Sequence, residues 1–232
     1  MGNPSLAPGF SLDYDLDHRS DQESKIPRPR WERLDEARKG RILTAATQEF
    51  AENGFESASY NGIIAAAGIS KGAMYYYFDD KMDLFVTTVR AALEPSMGGM
   101  EHLRQASAED FWDTVEAWTL GSIVFTQRHP EQLTLYRELR SLHHSHHQHP
   151  LVADLFAEFE SMTRVILEMG RNHGVVRTDL PQGMLEAAVA GLCEGLDAWY
   201  LHHLDPDEDP QSVAHHTTEM IRRLCAPKEN RC

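Results

Sequence analysis

Positive charge is scarce in this 232-residue chain: 22 Lys and Arg stand against 36 Asp and Glu, a formal net charge of -14. That deficit argues against a uniformly basic nucleic-acid-binding surface, because phosphate contacts need cations. Cysteine is scarce too. Cys193, Cys225 and Cys232 form neither an even disulfide framework nor a metal-ligand spacing, and they fit a reducing compartment. No apolar run approaches the roughly 20 residues that span a bilayer, and Asp13, Asp15 and Asp17 stand where a signal peptide needs an apolar stretch. The expectation is a cytoplasmic chain with no membrane partner. Period-two alternation of β-branched residues is absent, so no sheet is expected. There is no Gly-rich phosphate loop, no Gly-x-Ser-x-Gly and no His-Glu-x-x-His. Catalytic residues, a cofactor and an enzymatic activity are therefore not expected.

What is present is unevenly distributed. Residues 1–27 sum to -3, residues 28–90 to zero and residues 91–232 to -11, so the acidity lies in the C-terminal part. A neutral segment still binds DNA if its few cations face the phosphates. Residues 1–30, rich in Pro, Ser, Asp and Gly without apolar periodicity, read as a disordered extension. It ends in Arg28-Pro29-Arg30-Trp31. Arg28, Arg30 and Arg33 are either a basic arm for an adjacent DNA groove or a solvated tail.

From Leu34 onward the pattern is helical. Ile42, Leu43, Ala46 and Phe50 mark a buried stripe on a helix over 34–53, which Gly54 stops. Ser59 caps a short helix to Ala67, and Ser70 caps another to Phe78. Asp80, with Asp83 three residues on, opens a longer helix to Ser96. Further helices are expected over 107–127, 130–142, 150–172, 181–203 and 212–225, opened by Ser107, Pro130, Pro150, Pro181 and Ser212. The count is about nine, giving an all-α fold.

Two short helices joined by Ala67-Gly68-Ile69-Ser70 have the lengths and the turn glycine of a helix-turn-helix. Ile63 and Ala67 give the first an inward face, while Met74 and Phe78 turn the second onto the core. Lys71, Gly72, Ala73, Tyr75, Tyr76 and Tyr77 are left around the rest of that second helix. Its N-terminal end, with the Ser70 hydroxyl and small residues, suits close approach to phosphates and base edges in a major groove. Three consecutive tyrosines cannot share one helix face. Tyr75 and Tyr76 are expected to face DNA, with Tyr77 nearer the backbone.

The stretch "RILTAATQEFAENGFESASYNGIIAAAGISKGAMYYYFDDKMDLF" closely resembles the DNA-binding domain of the TetR family of bacterial regulators. The matching positions are Ile42, Phe50, Gly54, Phe55, Ile63, Ala67, Gly68, Ser70, Lys71, Gly72, Tyr75, Phe78, Lys81 and Leu84. Ile64 departs from the small residue usual in the family, and Ala73 from its common Thr. The run Glu194-Gly195-Leu196-Asp197 to Leu204-Asp205-Pro206 is similar to one in the family's long dimerising helix.

After the extension over 1–30, the resemblance implies a helix-turn-helix DNA-binding domain over 31–80 and a helical ligand-binding and dimerisation domain over 81–226. It implies DNA contacts from Ser59, Tyr60, Asn61, Ser70, Lys71, Gly72, Ala73, Tyr75, Tyr76, Tyr77 and Lys81, with Asn61 suited to adenine. In an arbitrary helix Lys71 and Lys81 would read as surface lysines; within this motif they are expected to contact phosphates. The implied function is a repressor, released from a palindromic double-stranded DNA operator by a small apolar or aromatic effector. A homodimer is implied through the helix near 182–203, where Ala188, Gly191, Leu192, Gly195 and Trp199 are the expected contacts.

Trp112, Val115, Trp118, Thr119, Ser122 and Phe125 on one helix are first a core stripe. With Tyr136, Met162, Val165 and Met169 they also suit the wall of an effector pocket. Cys193 reads as a small buried apolar residue. The segment 143–149 holds His143, His144, His146, His147 and His149, which supports an alternative, a metal-responsive or metal-binding helical protein. It brings no Cys and no carboxylate at ligand spacing, so no metal site is assigned.

Overall fold

The computed structural model of the chain describes residues 28–97, 99–145, 149–203 and 208–228. Among them there are eleven helices and no strand. They are α1 (Arg28–Glu32), α2 (Glu36–Ser57), α3 (Tyr60–Ala67), α4 (Lys71–Tyr77), α5 (Lys81–Met97), α6 (Met100–Gln105), α7 (Phe111–Arg128), α8 (Pro130–Ser145), α9 (Pro150–Asn172), α10 (Gln182–His203) and α11 (Pro210–Cys225). The all-α class expected from periodicity is the one found. Two helices exceed the expected nine. Helix α1 begins inside the segment read as disordered, at Arg28, and α6 is a single short piece before α7. Residues 1–27 lie outside the described residues.

Side-chain caps set the short helices. Ser59 Oγ accepts from Gly62 N at 3.0 Å and Ser70 Oγ from Ala73 N at 3.1 Å, each satisfying one of the amides a helix start leaves without a partner. Gly68 ends α3 in the left-handed region at φ 65, where a Cβ is disfavoured. At the start of α5 a box-like pair of caps forms, with its return bond one residue before the expected N-cap. Asp83 N donates to Asp80 Oδ1 at 2.9 Å, and the buried Asp83 carboxylate accepts from Asp79 N at 3.0 Å.

Two expected starts differ. Ser107 bonds Asp110 in a turn rather than capping a helix, and α7 begins at Phe111. Asp209, not Ser212, caps α11, because Pro210 occupies the first helical position and Asp209 accepts from Gln211 N and Ser212 N.

Two apolar clusters hold the molecule. The first joins α2–α5, through Ile42, Phe50, Ile63, Met74 and Phe85, to Leu135, Leu139 and Leu142 of α8 and Val152 and Leu155 of α9. Phe85 stands edge-on to Phe50 and Phe55, with ring centroids 5.0 and 5.2 Å away. This core therefore continues past residue 80 into the second helical layer. The second cluster gathers α6, α7, α9, α10 and α11 around Phe111, Leu103, Leu167, Leu185 and Cys225. Gly170 permits this packing: a Cβ there would stand 2.4 Å from Val176 Cγ2.

Candidate nucleic-acid interface and effector cavity

Burial of Met74 and Phe78 turns α4 so that Lys71, Gly72, Tyr75 and Tyr76 face solvent. Tyr75 and Tyr76 keep 50% and 53% of their surface, an unusual exposure for two adjacent aromatic rings. Each ring carries a cation. Lys71 Nζ lies 5.8 Å from the Tyr75 centroid, and the Arg30 guanidinium 4.7 Å from that of Tyr76. Arg30 is brought there by α1, whose Trp31 packs on Phe78 at 5.0 Å. Asn61 is exposed at the start of α3. Tyr77 is half-buried against the first core, and Ala73 is half-buried beside the Ser70 cap.

Three expected contact residues have internal partners. The Ser59 and Ser70 hydroxyls are the caps already described. Lys81 Nζ donates to Glu56 O at 3.0 Å and Ala58 O at 3.3 Å and lies over the Phe55 ring, tying the start of α5 to the end of α2. Tyr60 is half-buried against Tyr75, its hydroxyl enclosed without a bond partner among the described residues. Burial, the largest cause, and the nearby Tyr75, Asp83, Asp80 and Asp79 push its pKa well above the usual tyrosine value.

A cavity of about 390 Å³ lies between α5, α7, α8, α9, α10 and α11. Of the residues expected there, Trp112, Val115, Trp118, Thr119, Ser122, Tyr136 and Met162 line it. Phe125, Val165 and Met169 do not. Phe125 packs on His129 at 4.7 Å, while Val165 and Met169 pack against the second core. The helical turn of about 100° per residue explains this: Ser122, Ile123 and Thr126 face inward on α7 and Phe125 does not, and on α9 the inward residues are Phe159, Met162, Thr163, Ile166 and Leu167.

The polar end of the cavity was not legible in the sequence. Tyr136 Oη donates to Asp197 Oδ2 at 3.1 Å, and the Tyr200 hydroxyl bonds the Thr217 hydroxyl. Burial pushes the Asp197 carboxyl up to about 6, against the lowering effects of the Tyr136 bond and the Arg140 charge. Burial likewise pushes the Cys193 thiol up to about 11. Tyr136 was expected in the wall, but nothing in its spacing pointed to Asp197, 61 residues away on α10.

Two contacts join the cavity walls to the helix-turn-helix. Leu93 of α5 lines the cavity, and only three residues separate the end of α4 from the start of α5. Helix α8, which carries Tyr136, also brings Glu138 to α2, where its carboxylate accepts from Phe55 N at 3.0 Å beside Gly54. Gly54 has φ 69, and a Cβ there would stand 3.3 Å from Glu138 Oε2, tighter than an ordinary contact. Arg90 of α5 also forms a two-pronged pair with Glu158 of α9, at 2.8 and 3.2 Å.

On α10, Ala188, Gly191, Gly195 and Trp199 are exposed and Leu192 is half-buried. Met184 and Trp199 expose 59% and 45% of their surface on this helix, and Met220 is exposed on α11. Within the histidine-rich segment, His143 stacks on Phe156 with centroids 3.9 Å apart. The side chain of His144 and residues 146–148 lie outside the described residues. Among the described residues, no group of three or more His, Cys, Asp or Glu could hold a metal. No helix among them is long and apolar enough to cross a membrane.

Comparison with known proteins agrees with this arrangement. The profile of "Bacterial regulatory proteins, tetR family" matches residues 42–88, and that of "Tetracyclin repressor-like, C-terminal domain" matches residues 114–225. The chain is 32% identical over 90 residues to the HTH-type transcriptional activator FasR of Mycolicibacterium smegmatis, covering 34% of this chain and 41% of that one. It is 26% identical over 143 residues to the HTH-type transcriptional repressor KstR2 of Rhodococcus jostii, covering 62% of this chain and 70% of the relative. The match thus spans less than half of the first relative's length. In fold, the chain is similar to the transcriptional regulator FadR of Bacillus subtilis in complex with stearoyl-CoA, with TM-score 0.64 at 17% identity, covering 79% of this chain and 97% of that one. With the helix-turn-helix and the helical second domain each matched in their own right, the chain belongs to the TetR family of bacterial transcriptional regulators.

Proposed function

We propose that this regulator is a cytoplasmic repressor, divided near residue 80 into a DNA-binding and an effector-binding domain. As a homodimer it binds a palindromic double-stranded operator and releases it when a small apolar or aromatic molecule enters the cavity. The observation that carries this reading is the course of α5. The same helix supplies Leu93 to the cavity wall and starts directly after α4. From Lys81 to Leu93 the rise is about 18 Å, and along that length Met82, Leu84, Phe85, Val86 and Val89 are buried in the DNA-binding core. An occupant that moves Leu93 therefore acts on the seat of α4.

The DNA face consists of Asn61, Lys71, Gly72, Tyr75 and Tyr76, with Arg30 at its edge. Ser59 and Ser70 shape the face through their caps. Two Lys81 donors are held by Glu56 O and Ala58 O, so at most one of the three an ammonium carries is left for a phosphate. The exposed face of α10, from Met184 through Ala188, Gly191 and Gly195 to Trp199, is the dimer surface. There the open space beside Gly191 and Gly195 admits close helix approach. A two-fold dimer sets two recognition helices roughly 34–36 Å apart, one DNA turn. Stearoyl-CoA in the similar fold of FadR supports a ligand with a long apolar part.

The test is electrophoretic mobility shift with the DNA upstream of the chain's own coding sequence. Lys71→Ala and Tyr76→Ala are expected to weaken specific binding by about tenfold or more each, in line with about 1–3 kcal/mol for a base contact, with helicity unchanged. Sequence-specific binding unaffected by both would overturn the DNA face. Operator affinity unchanged by a ligand shown to occupy the cavity would overturn the coupling.

A further inference from the structure

The cavity has a charge pattern that narrows its ligand, on the reading above that it is the effector site. Among the described residues lining it, Asp197 is the one acid, and no Lys, Arg or His joins it. The cation whose field reaches Asp197 is Arg140 of α8, but that guanidinium is turned to Glu194, donating both to its carboxylate and to its backbone oxygen. Arg140, Glu194 and Asp197 together carry one net negative charge when ionised. Asp197 accepts from the Tyr136 hydroxyl. A carboxylate has about four acceptor sites, and the side of this one toward the cavity is where a ligand would meet it. The rest of the lining carries no charge: it is mostly apolar or aromatic, with Trp112, Trp118 and Phe159, and its polar groups, such as Thr119, Ser122 and Gln132, are neutral.

We propose that the cavity is built for an organic cation: a molecule with an apolar body and one protonated amine, the amine seated on the Asp197 carboxylate beside Tyr136. An ammonium N–H makes a charge-assisted bond to a carboxylate, and aromatic ring faces attract the same charge. A buried acid is otherwise a poor choice for a ligand cavity, since an isolated ionised carboxylate loses hydration that apolar walls do not replace. A fatty carboxylate here would set two like charges side by side in a poorly hydrated space. The volume of about 390 Å³ lies within the roughly 300–1,000 Å³ of small-molecule pockets.

Three ten-carbon probes of equal apolar length test this: n-decylammonium, 1-decanol and decanoate. Binding to the purified full-length protein is read by intrinsic tryptophan fluorescence, with Trp112 and Trp118 as reporters, and by calorimetry. Decylammonium is expected to bind about tenfold or more tighter than decanol, and decanoate weakest, as for a buried charge pair. In Asp197→Asn, checked for folding by circular dichroism, the ammonium-to-alcohol ratio falls to near one. In Tyr136→Phe, which frees the carboxylate from its donor, the ratio holds or rises. Equal binding of alcohol and ammonium, tighter binding of decanoate, or an unchanged ratio in Asp197→Asn each overturns the cation site while leaving the cavity an effector site. Tight ammonium binding without loss of operator affinity supports the cation site and overturns only the repressor coupling. Failure of all three probes to bind overturns both.

Discussion

The two caps that shape the recognition helices of the DNA-facing surface are short in sequence, whereas the bonds at the polar end of the cavity join separate helices. Ser59 and Ser70 each cap a helix three residues away, but Tyr136 reaches Asp197 across 61 residues and Tyr200 reaches Thr217 from a different helix. The two regions also differ in filling. Under the helix-turn-helix, Phe50, Ile63, Met74 and Phe85 are fully buried and their rings meet edge to face. In the second domain, Trp112, Trp118 and Met162 are only half-buried around open space. A reading head must hold one shape, so close packing and local caps suit it. A cavity must admit an occupant, and it keeps apolar surface uncovered until one arrives. On the proposed function, the first region serves uniqueness of structure and the second a change of state.

The largest expected effect breaks that contrast most directly. Phe85→Ala removes a fully buried ring between Phe50 and Phe55 and is expected to cost about 3–5 kcal/mol. Met162→Ala, in a wall that already borders space, is expected to cost on the order of 1 kcal/mol. Chemical denaturation of both variants measures the difference. Equal losses would mean that the second domain is as tightly filled as the first.

Next in size is the acid in the cavity. The folded protein raises the Asp197 carboxyl from 3.8 to about 6, so between those values the folded state binds more protons than the unfolded one. Stability from this group therefore falls as pH rises from about 4 to about 6, by up to about 3 kcal/mol. Asp179 works in the opposite direction, since Arg177 and Lys228 hold its carboxyl well below the usual range. The two are separated by subtracting the profile of Asp197→Asn from that of the parent. The difference should fall across pH 4–6 and then level, with the variant the more stable at neutral pH. A flat difference would show that Asp197 is well solvated, and the contrast with the DNA-binding core would lose its electrostatic half.

The same contrast explains what could be read in advance. Ser59, Gly68, Ser70 and the Asp80–Asp83 box declare helix ends within a few residues, so α3, α4 and the start of α5 were visible in the sequence. Wall positions on α7 followed from helical spacing, although Phe125 shows that a stripe of apolar residues does not say which edge faces inward. Glu138 on Phe55 N, Lys81 on the end of α2 and Asp197 beside Tyr136 depend on how distant helices pack, and no spacing rule encodes that. Helix α1 was missed for a related reason. Five residues with a proline carry almost no periodicity, and Trp31 holds them in place only because Phe78 lies 5.0 Å away.

Arg30 is the smallest and finest test of how far the local region extends. Its guanidinium lies over an exposed ring at 4.7 Å, an arrangement worth about 0.5–1 kcal/mol where water has access. Arg30→Ala should therefore lower thermal stability only slightly. On the DNA face it should do more. If Tyr76 presents the guanidinium to a phosphate, the variant loses one counterion-releasing contact, and the slope of log affinity against log salt falls by about 0.9. A small loss of stability with an unchanged salt slope would make Arg30 a brace that holds α1 against α4. A reduced slope with nearly unchanged stability would make α1 part of the DNA-binding surface, extending that surface beyond the helix-turn-helix to a segment held by Trp31 and Phe78.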